Sequence, residues 1–314
     1  MNFKTFLNFT RIQTLPAALL SPIAGVIYAI YTFGSFHWLP SLLFFIGLAA
    51  INLFVSAWNN LMDYKKALDP EYKSWNIIAH EKIPLKLAWG ICLGLLVLDL
   101  FIGLAVAFLT NLAILPVGGV ALVIAVFYTY GPFAFSRFPL GELLAGLCEG
   151  AIGFFMGIYV NSFDAHYFFI KFSSGWKMTW DWDFSVLLPI VLVAIMCFCM
   201  NFNIMLSDNI CDLEQDLRNE RYTLAYYLKV PLALTLYRLI YLLAGLAVLA
   251  SILLRILPIW SLLMLLIAPL ILNNMRKFLA VQKKSETFIL QVNNLMLFNS
   301  ALAITILIGI LLKK

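Results

Sequence analysis

Long, predominantly apolar stretches constrain this chain more than any other feature of its sequence. Four of them, 39–57, 87–109, 186–205 and 289–312, are each long enough for a helix to span a bilayer. The composition agrees, because 63% of the residues are hydrophobic and only 12% are charged. Soluble domains carry about a quarter charged residues, which a water-facing surface needs. The sequence therefore predicts an all-α, polytopic integral membrane protein, placed in the cell membrane.

Nine spans are predicted, within a single domain covering 1–314. With the N-terminus in the cytoplasm, 15 lysines and arginines fall on the cytoplasmic side and 5 on the other. This positive-inside bias supports both the count and the orientation. It also accounts for the net charge of +5, so no nucleic-acid partner is expected. The predicted spans are 15–31, 39–58, 87–109, 113–130, 140–160, 186–205, 230–254, 258–272 and 289–312.

Two polar segments interrupt this apolar background, at about 59–86 and 207–229. Four predicted spans separate them, so both are expected on the cytoplasmic face. A third segment, 161–183, is predicted to be a long external loop. Its Trp176, Trp180 and Trp182 are interpreted as anchors at the membrane interface.

Acidic residues are concentrated in the two cytoplasmic segments. Asp208, Asp212 and Asp216 recur every four residues, which places their carboxylates on one face of a helix. Like charges so placed repel one another unless a cation lies between them. In the first segment Asn59 and Asp63 share a helical face, and Asp69 follows in a more irregular stretch. Oxygen ligands without histidine or cysteine suit Mg²⁺, whose coordination is commonly completed by substrate phosphates.

Basic residues are interleaved with these acids. Lys65 and Lys66 lie in the first segment, and Arg218 and Arg221 in the second. A metal-bridged diphosphate needs such counter-charges for its remaining oxygens. Arg221 is the preferred ligand because it directly precedes a predicted helix start. The alternatives are that the basic residues only set the topology and that the acids are solvated side chains of a transporter.

These motifs resemble those of the UbiA-type intramembrane prenyltransferases. That family carries an N-D-x-x-D-x-x-x-x-x-D pattern and an N-x-x-x-D-x-x-x-D pattern, and the segments starting at Asn59 and Asp208 match them in order. The stretches 11–18 (RIQTLPAA), 128–132 (YTYGP), 140–142 (LGE) and 223–225 (TLA) agree as well. The resemblance is closest to the branch that prenylates 1,4-dihydroxy-2-naphthoate in menaquinone synthesis.

The resemblance implies a bundle of about nine helices around a central cavity that opens laterally to lipid. It implies a prenyl diphosphate donor, a small aromatic acceptor and Mg²⁺ as cofactor. Asp63, Asp69 and Asp212 would be catalytic. The substrate would contact Arg11, Asn59, Lys66, Tyr128 and Arg221. The metal ligands would be Asn59, Asp63, Asp69, Asp208, Asp212 and Asp216.

Four positions depart from the family pattern. Asn60 stands where aspartate is usual, Ala67 and Glu220 replace frequent glycines, and Cys211 replaces a frequent arginine. Asn60 removes one charge from the first metal motif. Cys211 leaves the acceptor open among 1,4-dihydroxy-2-naphthoate, 4-hydroxybenzoate, haem and a glycerol-phosphate lipid.

Acids inside the predicted spans leave a second class of function open. Asp99 lies in the third span, and Glu142 and Glu149 lie on one face of the fifth. Acids within a membrane generally mark functional sites. An ion-coupled secondary transporter would use Asp99 and Glu149, but it would not explain the clustered aspartates.

Overall fold

The computed structural model describes residues 1–173 and 177–312, so Trp176, Lys313 and Lys314 lie outside the described residues. Helices dominate the described part. In chain order they are α1 (Phe3–Phe9), α2 (Leu15–Phe33), α3 (Trp38–Lys66), α4 (Pro70–Trp75), α5 (Ile77–His80), α6 (Leu85–Leu109), α7 (Ile114–Phe127), α8 (Gly141–Ala145), α9 (Gly153–Ser162), α10 (Phe184–Cys211), α11 (Leu213–Arg218), α12 (Leu224–Leu253), α13 (Ala268–Ala280) and α14 (Phe288–Leu311).

The prediction of an all-α polytopic membrane protein is confirmed. Among the described residues, 8 helical segments are long and apolar enough to cross a bilayer. Three of them join more than one element. The 3₁₀ helix Ile12–Thr14 continues into α2, α8 continues through the π-helix Gly146–Ile152 into α9, and the 3₁₀ helix Ile259–Ile267 continues into α13. The predicted span 113–130 corresponds to α7, which has only 14 residues.

Although α7 is short, it runs from one end of the bundle to the other. The carbonyls of Thr129 and Gly131, just after α7, each accept a 2.8 Å hydrogen bond from Lys66 Nζ at the end of α3. Asn111, just before α7, accepts a 2.9 Å hydrogen bond from the Ile170 backbone at the opposite end. The two acidic segments consequently emerge at the same end, as the nine-span prediction requires.

The predicted external loop at 161–183 contains regular structure that its sequence does not reveal. The chain there forms an antiparallel hairpin of β1 (Phe168–Ser173) and β2 (Lys177–Trp182). The hairpin forms because alternate β1 residues, Phe168 and Ile170, turn toward the core. Trp180 and Trp182 pack against the Phe168 ring at centroid distances of 5.5 and 5.0 Å.

Small residues allow α2 and α9 to pack closely. A Cβ at Gly25 would lie 2.2 Å from the Phe154 carbonyl oxygen, and one at Gly157 would lie 2.3 Å from the Pro22 carbonyl oxygen. Membrane helices often approach each other closely where small residues such as glycine recur at a spacing of four. Gly150, in the π-helix, packs equally closely against α10. A Cβ at Gly150 would lie 2.5 Å from the Cys197 carbonyl oxygen. The helix that carries Glu149 is therefore held firmly on both sides.

The orientation of the bundle stays a prediction. Ser74 and Glu220 are exposed on the acidic end, whereas Thr179 is exposed on the hairpin at the opposite end. Cysteines introduced at Ser74 and Glu220 should react with an impermeant maleimide only after the cells are permeabilised. A cysteine at Thr179 should react in intact cells and serves as the control. Labelling of Ser74→Cys or Glu220→Cys from outside intact cells would contradict the cytoplasmic N-terminus.

Candidate active site

The second acidic motif lies where α10 ends and α11 begins. Cys211 ends α10, and Asp212 joins it to α11 with φ −95° and ψ 6°. The helical hydrogen-bond pattern persists across this junction, because Asp212 N donates to Asp208 O at 3.0 Å and Asp216 N donates to Asp212 O at 2.8 Å. The four-residue spacing therefore keeps the three aspartates on one side, as the sequence predicts.

Asp216 forms a buried ion pair with Arg221. Arg221 Nη1 lies 3.2 Å from Asp216 Oδ1, and the two side chains are 21% and 4% exposed. Burial, together with the charges of Asp212 and Asp208, raises the pKa of Asp216 to about 7 against the opposing effect of Arg221. In the described part of the chain, Asp216 Oδ2 and Arg221 Nε have no hydrogen-bond partner although both atoms are buried. The pair therefore retains an acceptor and a donor for a ligand.

The first motif lies at the C-terminal end of α3. Asn59 Oδ1 accepts a hydrogen bond from Thr129 Oγ1 at 3.0 Å. Asp63 follows one turn later and is half-buried. Lys66, about one turn beyond Asp63, uses its ammonium group to bind the Thr129 and Gly131 carbonyls. The predicted phosphate contact of Lys66 would require its ammonium to share or leave those carbonyls.

Asn60 connects this motif to the N-terminal segment. Its Oδ1 accepts a 2.6 Å hydrogen bond from Arg11 Nη2, and its Nδ2 donates to the Phe9 carbonyl at 2.8 Å. Arg11 has a left-handed backbone with φ 48°. Only an amide can both accept from Arg11 and donate to Phe9, whereas a carboxylate is acceptor-only. The departure from aspartate at position 60 thus has a structural reason: Asn60 positions Arg11 beside the first motif.

Asn219 holds the two acidic segments together. Its Oδ1 accepts hydrogen bonds from the backbone nitrogens of Leu68 and Asp69 at 3.1 and 3.3 Å. Arg137 Nη1 donates to the Asn219 carbonyl at 3.1 Å. Asp69 caps α4 by accepting from Glu71 N at 2.9 Å, and its Oδ2 lies 3.9 Å from Arg218 Nη1. The two segments therefore form one polar mouth at the end of the bundle.

Charges from both motifs act on Arg221 and Tyr72. Burial disfavours the guanidinium charge, but Asp216 and then Asp63 more than offset it, so the pKa of Arg221 is raised. Burial and then Asp63, with Asp216 also contributing, raise the pKa of Tyr72 to about 12. Asp63 and Asp216 come from different motifs. Their common action on both residues agrees with the contacts that Asn219 makes between the two segments.

A cavity of about 360 Å³ extends from this mouth into the bundle. Its walls are mainly apolar residues of α3, α6, α7 and the continuous α8–α9 helix. Asn59 lines the cavity one helical turn from Asp63, so it belongs to both the cavity and the mouth. Tyr128 lines the same space, and its hydroxyl donates to the Gly141 carbonyl at 3.5 Å. The remaining polar lining residues include Asn52, Asp99 and Glu149.

Glu142 does not line this cavity. It is fully buried, and its Oε1 accepts a 2.7 Å hydrogen bond from Asn209 Nδ2 of α10. Asn209 directly follows Asp208. Glu142 therefore supports the helix that carries the second motif, and it sits at the helix start where sequence analysis placed it.

The donor set has the oxygen chemistry that Mg²⁺ prefers, but within the described part of the chain its carboxylates are not gathered into one site. Asp208 and Asp212 already share a cation, because Lys284 Nζ lies 2.9 Å from Asp208 Oδ1 and also contacts Asp212 Oδ2. Asp216 Oδ2 adds an unpaired buried acceptor. The described residues contain no group of three or more acidic, histidine or cysteine side chains gathered around one point. Carboxylate sets of this kind leave coordination positions for phosphate oxygens and water.

Sequence analysis missed Lys284 and Asn219 as site residues. Lys284 lies in the 281–287 loop, and the sequence marks it only as one of the 15 basic residues on the predicted cytoplasmic side. The side chain of Asn219 binds backbone nitrogens of the other acidic segment. No sequence pattern marks a contact of this kind. A search for same-side cations near the motifs could have found Lys284.

Comparison with known proteins identifies the class to which this fold and site belong. The model of the UbiA prenyltransferase family matches residues 16–301. The chain belongs to the UbiA prenyltransferase family, which confirms the resemblance seen in its motifs.

Individual relatives agree with this assignment. The chain is 24% identical over 236 residues to 1,4-dihydroxy-2-naphthoate octaprenyltransferase from Bacillus subtilis (strain 168), covering 73% of this chain and 67% of that protein. A UbiA homolog from Aeropyrum pernix K1 superposes with a TM-score of 0.70 at 17% identity, covering 94% of this chain and 98% of that one. A UbiA homolog from Archaeoglobus fulgidus bound to DMAPP and Mg²⁺ gives a TM-score of 0.58 at 16% identity, covering 98% and 99%. The fold is shared with both UbiA homologs of known structure.

Proposed function

We propose that this UbiA-family protein transfers a polyprenyl group from a prenyl diphosphate to 1,4-dihydroxy-2-naphthoate, as a Mg²⁺-dependent enzyme of menaquinone biosynthesis in the cell membrane. The observation that carries the proposal is the meeting of two acidic motifs over one apolar cavity. The similarity to the Bacillus subtilis enzyme supports the acceptor. The Archaeoglobus fulgidus homolog bound to DMAPP and Mg²⁺ supports the donor class and the metal.

The metal would be held by Asn59, Asp63 and Asp69 on one side of the mouth and by Asp208, Asp212 and Asp216 on the other. When bound there, Mg²⁺ supplies charge neutralisation of the diphosphate as it leaves. Arg221 reaches the same space and has a free donor nitrogen for a phosphate oxygen. Arg11 and Lys66 lie at the rim of the first motif and would bind the outer phosphate.

The cavity below the mouth supplies the environment that the second half of the reaction needs. Loss of diphosphate leaves positive charge on an allylic carbon, and water must be excluded until the aromatic ring captures it. The apolar walls of α3, α6, α7 and α8–α9 exclude water, and Tyr128 lies between them and the mouth. The proton displaced from the ring carbon that gains the prenyl group would pass to Asp69 or to the acceptor's own phenolate. With this acceptor, that proton would then take the place of the carboxylate, which leaves as carbon dioxide.

The first test of this proposal is an assay of the purified protein with labelled prenyl diphosphate and a panel of acceptors. We expect prenylation of 1,4-dihydroxy-2-naphthoate with release of one carbon dioxide per product, and loss of activity in chelator. Thin-layer separation of the labelled products would measure both. The control acceptors are 4-hydroxybenzoate, haem and a glycerol-phosphate lipid. Transfer to one of these, with none to the naphthoate, would overturn the acceptor while leaving the family assignment intact.

The transporter alternative rests on Asp99 and Glu149, and both line the cavity. Family membership and the converging aspartates favour the enzyme. Glu149 lies in the π-helix Gly146–Ile152, a rare geometry that is frequent at functional sites. Its position in the cavity favours contact with a substrate inside the bundle.

A further inference from the structure

The loop between α13 and α14 brings a lysine into the second acidic motif. Lys284 Nζ lies 2.9 Å from Asp208 Oδ1 and contacts Asp212 Oδ2 at the same time. These two carboxylates are 29% and 18% exposed, and the lysine side chain is 50% exposed. One ammonium group therefore bridges two aspartates from successive turns, at the position where a cation would relieve their repulsion.

The loop is built so that Lys284 points inward. Thr287 Oγ1 donates to the Val281 carbonyl at 2.8 Å and accepts from Lys283 N at 3.2 Å, which closes the loop on itself. The Lys284 ammonium also lies 5.8 Å from the centre of the Phe288 ring. The neighbouring Lys283 instead pairs with Glu286 at 3.0 Å within the loop. Two adjacent lysines thus have different partners, and only Lys284 reaches the predicted metal ligands.

We propose that Lys284 is an internal cation that occupies the metal position between Asp208 and Asp212 until a divalent ion displaces it. The inference rests on the proposed metal-dependent function. The 281–287 loop belongs to neither acidic motif, yet through Lys284 it contributes a residue to the mouth. A single ammonium neutralises one of the two carboxylates, whereas a divalent ion neutralises both, so metal binding can displace the lysine. The displaced side chain must move away from both carboxylates.

This arrangement has two measurable consequences. Without metal, Lys284 stabilises the folded protein because it limits repulsion between Asp208 and Asp212. With metal, Lys284 competes for the same oxygens and weakens the apparent affinity. A variant without this ammonium should therefore be less stable in chelator and should bind the metal more tightly.

The experiment measures the melting temperature of the purified protein by intrinsic tryptophan fluorescence. Wild type, Lys284→Met and Lys283→Met are compared in chelator and across a series of Mg²⁺ concentrations. We expect Lys284→Met to melt several degrees lower than wild type in chelator. Its half-saturating Mg²⁺ concentration should be about fivefold lower, in line with the loss of one partly exposed charge contact. Lys283→Met should match wild type in both measurements.

A second variant guards against poor folding of Lys284→Met. Lys284→Gln keeps a polar side chain of similar length but has no charge, and it should shift the Mg²⁺ midpoint in the same direction. Equal midpoints for wild type, Lys284→Gln and Lys284→Met would overturn the proposal for Lys284. Wild-type protein that transfers prenyl groups in chelator, with no thermal response to Mg²⁺, would instead overturn the metal-dependent function.

Discussion

Replacing Asp212 by asparagine is expected to lower prenyl transfer by at least about a hundredfold at saturating Mg²⁺, because neutralisation of the leaving diphosphate acts mainly in the transition state. The substitution removes one charge and barely changes the shape of the side chain. Asp212 joins α10 to α11 through backbone geometry that asparagine also adopts, so the fold should persist. The measurement is the turnover rate, with melting temperature as the check on folding.

Glu214 provides the matched control for Asp212. It lies two residues away in α11 and is exposed, and its carboxylate belongs to neither motif. Glu214→Gln should retain wild-type activity within a factor of about two, as is usual for an exposed charge. Full activity in Asp212→Asn, or equal losses in both variants, would contradict the role given to the second motif.

Replacing Arg221 by methionine is expected to destabilise the protein and to abolish most of its activity. The carboxyl group of Asp216 is only 4% exposed, so the substitution leaves it buried without its partner, and it must take up a proton to avoid an unpaired charge. Removing one member of a buried pair costs about 3–5 kcal/mol, and the partial exposure of Arg221 places this case near the lower end. Thermal unfolding in detergent would measure the loss, and prenyl transfer at several donor concentrations would show a raised KM for the diphosphate.

A double variant separates stability from chemistry at this pair. Asp216→Asn with Arg221→Met removes both charges, so much of the lost stability should return. Activity should stay low, because the proposed metal ligand and the proposed phosphate ligand are both missing. Recovery of activity along with stability would show that the pair is structural only. An unchanged melting temperature in Arg221→Met alone would contradict the buried ion pair.

The acidic motifs were predictable because their geometry is local. Asp208, Asp212 and Asp216 repeat at a helical spacing, and the hydrogen bonds across the α10–α11 junction preserve that spacing. The meeting of the two motifs was also predictable, since an even number of spans separates them. Apolar run length located the helices but not their ends. The helix α7 is shorter than the stretch 113–130 predicted for it, and the segment predicted to end at 272 continues to Ala280.

Features that depend on contacts between distant parts of the chain were not predictable in the same way. Asn60 looks like a weakened metal ligand in the sequence, yet the structure shows an amide that positions Arg11. Lys284 reaches Asp212 across 72 positions in the chain. The hairpin of β1 and β2 depends on packing against the bundle. The alternation of buried and exposed residues in β1 is short, and the many aromatic residues of the segment hide it in the sequence. Each of these requires knowledge of which segments pack together.

The short length of α7 has a consequence for the lipid around the protein. At 14 residues this helix is about 21 Å long, whereas the hydrocarbon core of a bilayer is about 30 Å thick. Its outward residues Val120 and Val123 are about half exposed, at 53% each, so acyl chains must meet the bundle along this side. A span this short is accommodated by local thinning of the bilayer, at a cost of fractions of a kcal/mol per Å of mismatch. We therefore expect the bilayer to be thinned where it borders the cavity wall formed by α7.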